Sequence, residues 1–327
     1  MKITVVRPGM LTTIQDLGRP RCRAYGVSVG GAMDTLALRT ANLLLGNSDG
    51  EAGIEATVTG PDLAFDEGRW IAICGAEANP VLNGEAVPMW KPVYVPAGSV
   101  LQLGSVTNGM RVYLAVDGGF RLPQVLGGYG TDLRGGFGGL EGRRLKANDI
   151  LPLGPAKLAP PSDGEVLTAA PVMPVRELQT LLNRPAVRVF PGREMGEFDA
   201  DSLRAFFTEP FTVSPQSDRM GIRLEGPRLN RTVSREMLTA GVSCGTVQVP
   251  PDGRPIILMA DGQPTGGYPR IAQVAEVDLP VLAQARPGKK LGFVRITLDE
   301  AERLLDMRER VLARIGTAAR LFWKGRE

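Results

Sequence analysis

The sequence predicts a mainly β fold with a few helices, and three observations carry that expectation. Short apolar runs recur along the chain, each closed by Gly, Pro, Asn or Asp. The 41 glycines and 26 prolines are spread through all 327 residues rather than clustered, which suits many short strands and turns. Helical spacing of apolar residues is confined to a few stretches.

In the first half the strands are expected at Lys2 to Val6, Ile54 to Val58, Trp70 to Cys74, Pro92 to Val95, Val100 to Leu103 and Arg111 to Val116. These are the sizes found in barrels and sandwiches. One helix interrupts them, with Asp34 as N-cap, Leu36, Ala37, Ala41, Leu44 and Leu45 on one face and Gly46 as terminator. The second half repeats the style, with strands at Ala186 to Phe190, Phe211 to Val213, Thr246 to Val249, Pro255 to Ala260 and Leu291 to Ile296, and a short helix starting near Asp201. The proline-rich stretch from Pro155 to Pro174 reads as a linker. The expected division is therefore 1–155, a linker over 156–184, 185–297, and a C-terminal amphipathic helix over 298–327. That helix opens on TLDE, Thr297 to Glu300, a capping-box pattern.

Composition excludes several function classes. With 38 basic and 35 acidic residues the net charge is only +3, and the two signs are interspersed, so a nucleic-acid footprint is not expected. No apolar run is long enough to span a membrane, and the first residues show no signal-peptide core, so a cytoplasmic protein is expected. Cys22, Cys74 and Cys244 are far apart and form no paired motif, which predicts neither a disulfide framework nor a zinc site. The chain contains no histidine. Ser-His-Asp and Cys-His chemistry and His-ligated metals are thereby excluded, and no metal site is expected. Proton transfer falls to Asp, Glu, Lys, Tyr or Cys.

Three glycine-rich polar clusters stand out. YGVSVGGAMD, Tyr25 to Asp34, runs into the helix; its amides could hold an anion, but a plain turn with an Asp cap is the preferred reading. GGYGTDLRGGFGGLEGRRL, Gly127 to Leu145, has the glycine density of a phosphate loop, yet Glu141 stands where a dinucleotide fingerprint needs glycine. The third, from Ser217 to Tyr268, sets Asp261 at a strand end, followed by Gln263, Thr265, Gly266, Gly267 and Tyr268. Such side chains on a tight loop after a buried strand suit recognition of a carbonyl, while the bland alternative has Asp261 closing an Asx turn. In each half an apolar strand runs into Asp-Gly, at 117–118 and at 261–262, a weak hint of two related halves.

Taken together, GGAMD with ANLLLGN, YLAVDGGF, TDLRGGFGGLEGR, SDRMGIRLEGP, QVPPDGRPIILMAD and TGGYPRIA resemble the biotin-dependent carboxyltransferase (allophanate hydrolase subunit 2) family, most closely its 5-oxoprolinase branch. The resemblance implies two cyclophilin-like β-barrel domains plus the C-terminal helix. It also implies a component that works directly with the B subunit of 5-oxoprolinase and with the A subunit, opening the lactam of 5-oxo-L-proline to L-glutamate at the expense of ATP. Two alternatives within the family are a carboxyltransferase component of a biotin-dependent urea or amide carboxylase and a non-catalytic regulator of a kinase inhibitor. The first would need biotin on a separate carrier, because no AMKM-type acceptor segment is present. Under the leading reading Asp261, Tyr268 and Gln248 are the catalytic candidates. Asp34, Asn42, Ser217, Arg219, Gln263, Thr265, Gly266 and Gly267 are the substrate-binding ones, with Arg219 holding a substrate carboxylate.

Overall fold

The computed structural model describes residues 1–161, 175–178, 184, 186–233 and 237–325, so most of the expected linker lies outside the described residues. The chain forms two compact units, one of Met1–Gly18, Asp34–Thr180 and Glu309–Glu327, the other of Arg19–Met33 and Leu181–Arg308. The segment Arg19–Met33 thus groups with the second unit although it precedes the expected boundary, and the C-terminal helix is divided after Arg308.

The first unit holds β1 (Lys2–Arg7), β2 (Leu11–Gln15), β3 (Gly53–Thr57), β4 (Asp62–Phe65), β5 (Arg69–Ala78), β6 (Val81–Leu82), β7 (Glu85–Ala86), β8 (Pro92–Val95), β9 (Val100–Gln102), β10 (Val106–Val116) and β11 (Ile150–Pro152). They pair as two sheets, in the orders β11-β1-β4-β9-β6-β7 and β2-β3-β10-β5-β8. Apolar side chains such as Ile3, Val5, Ile54, Leu63, Ile73, Leu101 and Leu114 fill a common core. Each fully buried aliphatic residue of this kind contributes about 1.5–3 kcal/mol.

Helix α1 (Thr35–Leu44) packs on β5 and β10. Asp34 caps it, accepting the Ala37 amide at 2.9 Å, and Gly46 follows its end at φ 67°. The Asp34 amide donates to the Tyr113 hydroxyl at 2.8 Å, and that hydroxyl donates to Glu55 at 2.7 Å. Burial and the neighbouring Glu55 and Asp34 charges push the phenol of Tyr113 well above its ordinary range, so it stays a neutral donor. The start of the expected linker is tied to the same unit: Asp117 accepts the amides of Lys157 and Leu158, and the Trp70 indole donates to the Ala159 carbonyl.

The second unit holds β12 (Ala186–Pro191), helix α2 (Ala200–Thr208), β13 (Phe211–Val213), β14 (Gly221–Glu225), β15 (Ala240–Gly241), β16 (Thr246–Gln248), β17 (Ile256–Leu258), β18 (Thr265–Gly266), β19 (Arg270–Val274), helix α3 (Leu279–Ala283) and β20 (Lys290–Arg295). Seven of these strands close a barrel in the order β12-β19-β16-β17-β14-β13-β20. The seam that closes it is the parallel pairing of β12 with β20. The core of this unit includes an aromatic cluster, with Phe206 of α2 stacked on Phe293 at 4.5 Å and Phe211 beside both. The fold is thus mainly β with a few helices. Strand pairing closes in the second unit, whereas the first is built from two sheets.

Helix α4 (Leu298–Lys324) begins with the expected capping box: Glu300 accepts the Thr297 amide at 2.7 Å, and the Glu300 amide donates to Thr297 Oγ1 at 3.2 Å. Farther along, Trp323 donates to the Leu44 carbonyl at 3.0 Å and meets Trp70 edge to face at 4.9 Å. Among the described residues no helix is long and apolar enough to cross a membrane.

Candidate functional site

Two turns at one end of the barrel are held together through their backbones. The Asp261 amide donates to the Arg219 carbonyl at 3.0 Å, and the Met259 amide to the Met220 carbonyl at 2.9 Å. Their side chains then meet: Arg219 Nε lies 2.8 Å from Asp261 Oδ2, and Arg219 Nη2 lies 2.8 Å from Oδ1. Arg219 is 7% exposed and Asp261 9%. The loop of the YGVSVGGAMD cluster covers this pair, since Arg219 Nη2 donates to the Gly31 carbonyl at 2.6 Å, the Gly30 amide to the Ala260 carbonyl at 3.0 Å, and Ser28 Oγ to the Asp261 carbonyl at 3.2 Å. Gly30 and Gly31 sit at φ 65° and 82°, the left-handed region that makes this turn available to glycine. A bidentate, desolvated pair of this kind fixes geometry more than it adds stability.

The Asp261 side chain anchors Arg219. The Asp-Gly dipeptides at 117–118 and 261–262 also differ, because Asp117 binds backbone amides while Asp261 binds a guanidinium, and only Gly118 of their two glycines has positive φ.

Gln248 ends β16 at 2% exposure, and its Nε2 has no hydrogen-bond partner among the described residues. A buried amide donor left unmatched costs about 1–3 kcal/mol, and a ligand carbonyl would relieve that cost. Gly266 faces it: a Cβ there would lie 2.5 Å from Gln248 Nε2, so glycine keeps room beside the amide. Thr265 and Gly266 form β18, paired with β15. Gly267 and Tyr268 line an open cavity of about 520 Å³ together with Asn230, Arg231, Met237 and Pro250. Tyr268 is 45% exposed there. Gln263 borders a separate, much smaller hollow beside Val242 and Cys244.

The other candidates have local partners. Ser217 Oγ accepts the Arg223 amide at 3.0 Å, closing the turn before β14. Asn42 is fully buried, with Nδ2 on the Glu51 carbonyl at 2.8 Å and Oδ1 accepting from Asn47 at 3.1 Å. Asp34 is the helix cap already described. The structure thus joins Arg219 to Asp261 and Gln248 to Gly266, and it sets Tyr268 with Gly267 on the larger cavity. Sequence reasoning missed the Arg219–Asp261 pair and its cover from Ser28 to Gly31, because partners this far apart leave no local signal.

Thiol chemistry is suppressed at two of the three cysteines. Burial, with the Glu276 charge, pushes the Cys244 thiol up to about 12, and burial raises Cys74 well above the thiol range. None of the three cysteines forms a disulfide among the described residues. Among the described residues no group of three His, Cys, Asp or Glu side chains is placed to hold a metal. In the glycine-rich loop over 127–145 many amides are already engaged: Gly136 and Phe137 donate to the Asp132 carbonyl, Gly139 to Tyr129, Gly142 to Gly138, Arg134 and Gly135 to the Asp132 side chain, and Tyr129, Thr131 and Leu145 to Asp16, Ile14 and Thr12. That loop does not fit a nucleotide phosphate, and no step through ATP is assigned to it.

Residues 25–295 match the profile of the carboxyltransferase domain, subdomain A and B. The chain belongs to this family. It is 43% identical to the C subunit of 5-oxoprolinase from Escherichia coli over 91% of this chain and 93% of that protein. It is 40% identical to the corresponding C subunit from Haemophilus influenzae over 89% of this chain and 90% of that one. Among solved structures, the urea amidolyase of K. lactis superposes with a TM-score of 0.86 at 29% identity over 96% of this chain. The chain spans only 20% of that much longer protein.

Proposed function

We propose that the chain serves as the C subunit of an ATP-dependent 5-oxoprolinase, acting with the A and B subunits to open the lactam of 5-oxo-L-proline to L-glutamate. The observation that carries this reading is the 43% identity to the Escherichia coli protein over nearly the full length of both chains. Three cysteines that form no disulfide among the described residues are consistent with a reducing, cytoplasmic setting. In the reaction a water oxygen bonds to the lactam carbonyl carbon, the ring C–N bond breaks, and one water proton ends on the leaving nitrogen. ATP cleavage in the complex supplies the driving force.

Within this chain the unmatched Gln248 Nε2 is suited to donate to the lactam oxygen, where negative charge develops. Arg219 is suited to take the substrate carboxylate, which would release Asp261 from its bidentate hold and leave it able to accept a proton from water. Tyr268, exposed at its cavity, is the second candidate proton donor. Gln263, Thr265, Gly266 and Gly267 shape the surrounding loop, and Asp34, Asn42 and Ser217 act through the segments they hold. Deleting the gene should abolish growth on 5-oxoproline as nitrogen source. Wild-type sequence should restore it and Asp261→Asn should not; growth that persists in the deletion strain removes the proposal.

A second reading, carboxyl transfer between carboxybiotin and an amide, is supported by the family profile and by the likeness to urea amidolyase. A biotinylated protein co-purifying with the chain, detected with streptavidin, would favour it.

A further inference from the structure

The second unit carries another opening, about 370 Å³, lined by Arg23, Arg193 and Arg270 with Ser243, Thr246 and Gln273. Two of its guanidiniums are fixed on successive carbonyls: Arg23 donates to the Val242 carbonyl, and Arg270 Nη1 to the Gly241 carbonyl at 3.3 Å. Arg270 is further clamped by Glu194, whose oxygens lie 2.7 and 2.5 Å from its Nε and Nη2. Burial alone would raise the Glu194 carboxyl, but its hydrogen bonds from Arg270 win and hold it below the ordinary range, so the clamp stays ionised at neutral pH. Arg193 has an 80% exposed side chain and meets Glu194 only at 4.0 Å. Among the described residues no carboxylate lines the opening itself. Glu194 is held by Arg270 and only distantly approached by Arg193, so Arg23 and Arg193 bring two positive charges to a cavity that Ser243 also lines. No step of the proposed lactam chemistry uses these side chains.

We propose that this opening is a binding site for a phosphate group, either free or at the end of a small phosphate ester. A dianion matches the two charges of Arg23 and Arg193, whereas a single carboxylate would leave one of them unanswered. Guanidiniums held by backbone carbonyls present their remaining N–H groups in a fixed fork, the arrangement that suits tetrahedral oxyanions. The inference does not rest on the lactam-opening reading, since it uses none of the same residues.

Isothermal titration of the full chain with inorganic phosphate, and separately with adenosine triphosphate, tests it. Saturable binding of at least one probe is expected, weakened tenfold or more in Arg23→Gln/Arg193→Gln, with an unchanged circular dichroism spectrum. Phosphate alone binding assigns a free ion; adenosine triphosphate binding that phosphate displaces assigns the end of a larger ester. Should the double variant misfold, Arg193→Gln alone decides, because its side chain is exposed; it should weaken binding at least threefold. Absence of binding for both probes, or binding indifferent to these substitutions, overturns the proposal.

Discussion

Arg219 and Asp261, 42 residues apart in the chain, meet through two hydrogen bonds of 2.8 Å in a nearly dry setting, with a third bond from Arg219 to the Gly31 carbonyl. Neither side chain is free as it stands. Each determines what the other can do.

Asp261→Asn removes the charge from one side of a buried bidentate ion pair, and breaking such a pair costs about 3–5 kcal/mol. Denaturant unfolding should show that loss. Arg219→Met combined with Asp261→Leu should be less destabilised than either single charge removal, because an apolar pair needs no desolvation. A strictly additive double variant would mean the two side chains are not coupled.

Gly266→Ala would drive a methyl group against Gln248 Nε2. Overpacking of this kind costs about 1–3 kcal/mol. Adding Gln248→Ala should recover most of it and still leave glutamate formation impaired, since the amide itself is gone. Recovery of stability together with activity would remove Gln248 from the proposed chemistry.

Thiol reactivity should be low in the native chain. With Cys244 pushed up to about 12 and Cys74 raised by full burial, neither carries appreciable thiolate at pH 8. An Ellman assay should therefore report at most one fast thiol, Cys22, before urea is added. Three fast thiols would contradict the packing around β5 and β16.

Asp149 supplies an acid-side prediction. Its hydrogen bond to Arg143 pulls the carboxyl below the ordinary range, outweighing partial burial. A depressed folded value means that its stabilisation is complete above the unfolded value, about 3.9, and is lost as pH falls through the folded one. Asp149→Asn should accordingly be less stable than wild type at pH 7, with the gap closing below about pH 4. A gap that widens on acidification would show that the pair has the opposite sign.

Much of the scaffold was legible because local chemistry wrote it. The Asp34 cap, the Gly46 stop and the Thr297–Glu300 box each rest on neighbours within a turn or two. Strand β2 was hidden because its buried positions include Thr12, Thr13 and Gln15, which do not read as an apolar run. Strands β14 and β19 lay inside stretches notable for their polar residues, where alternation over five positions is easily masked. At the site, Asp261 was visible as a carboxylate at a strand end. Arg219 was visible as a candidate for holding a carboxylate, but its pairing with Asp261 was not, for the two meet only after the barrel brings two loops together. The grouping of Arg19–Met33 with the second unit is likewise a long-range fact with no local trace.

The most direct measurement is glutamate formation from 5-oxo-L-proline by the chain reconstituted with the A and B subunits of a 5-oxoprolinase, with and without ATP. Release should need both ATP and this chain, and should fall at least a hundredfold with Asp261→Asn, a loss of about 2.7 kcal/mol in transition-state stabilisation. Release at the wild-type rate without this chain, or with Asp261→Asn in its place, would contradict the proposed role.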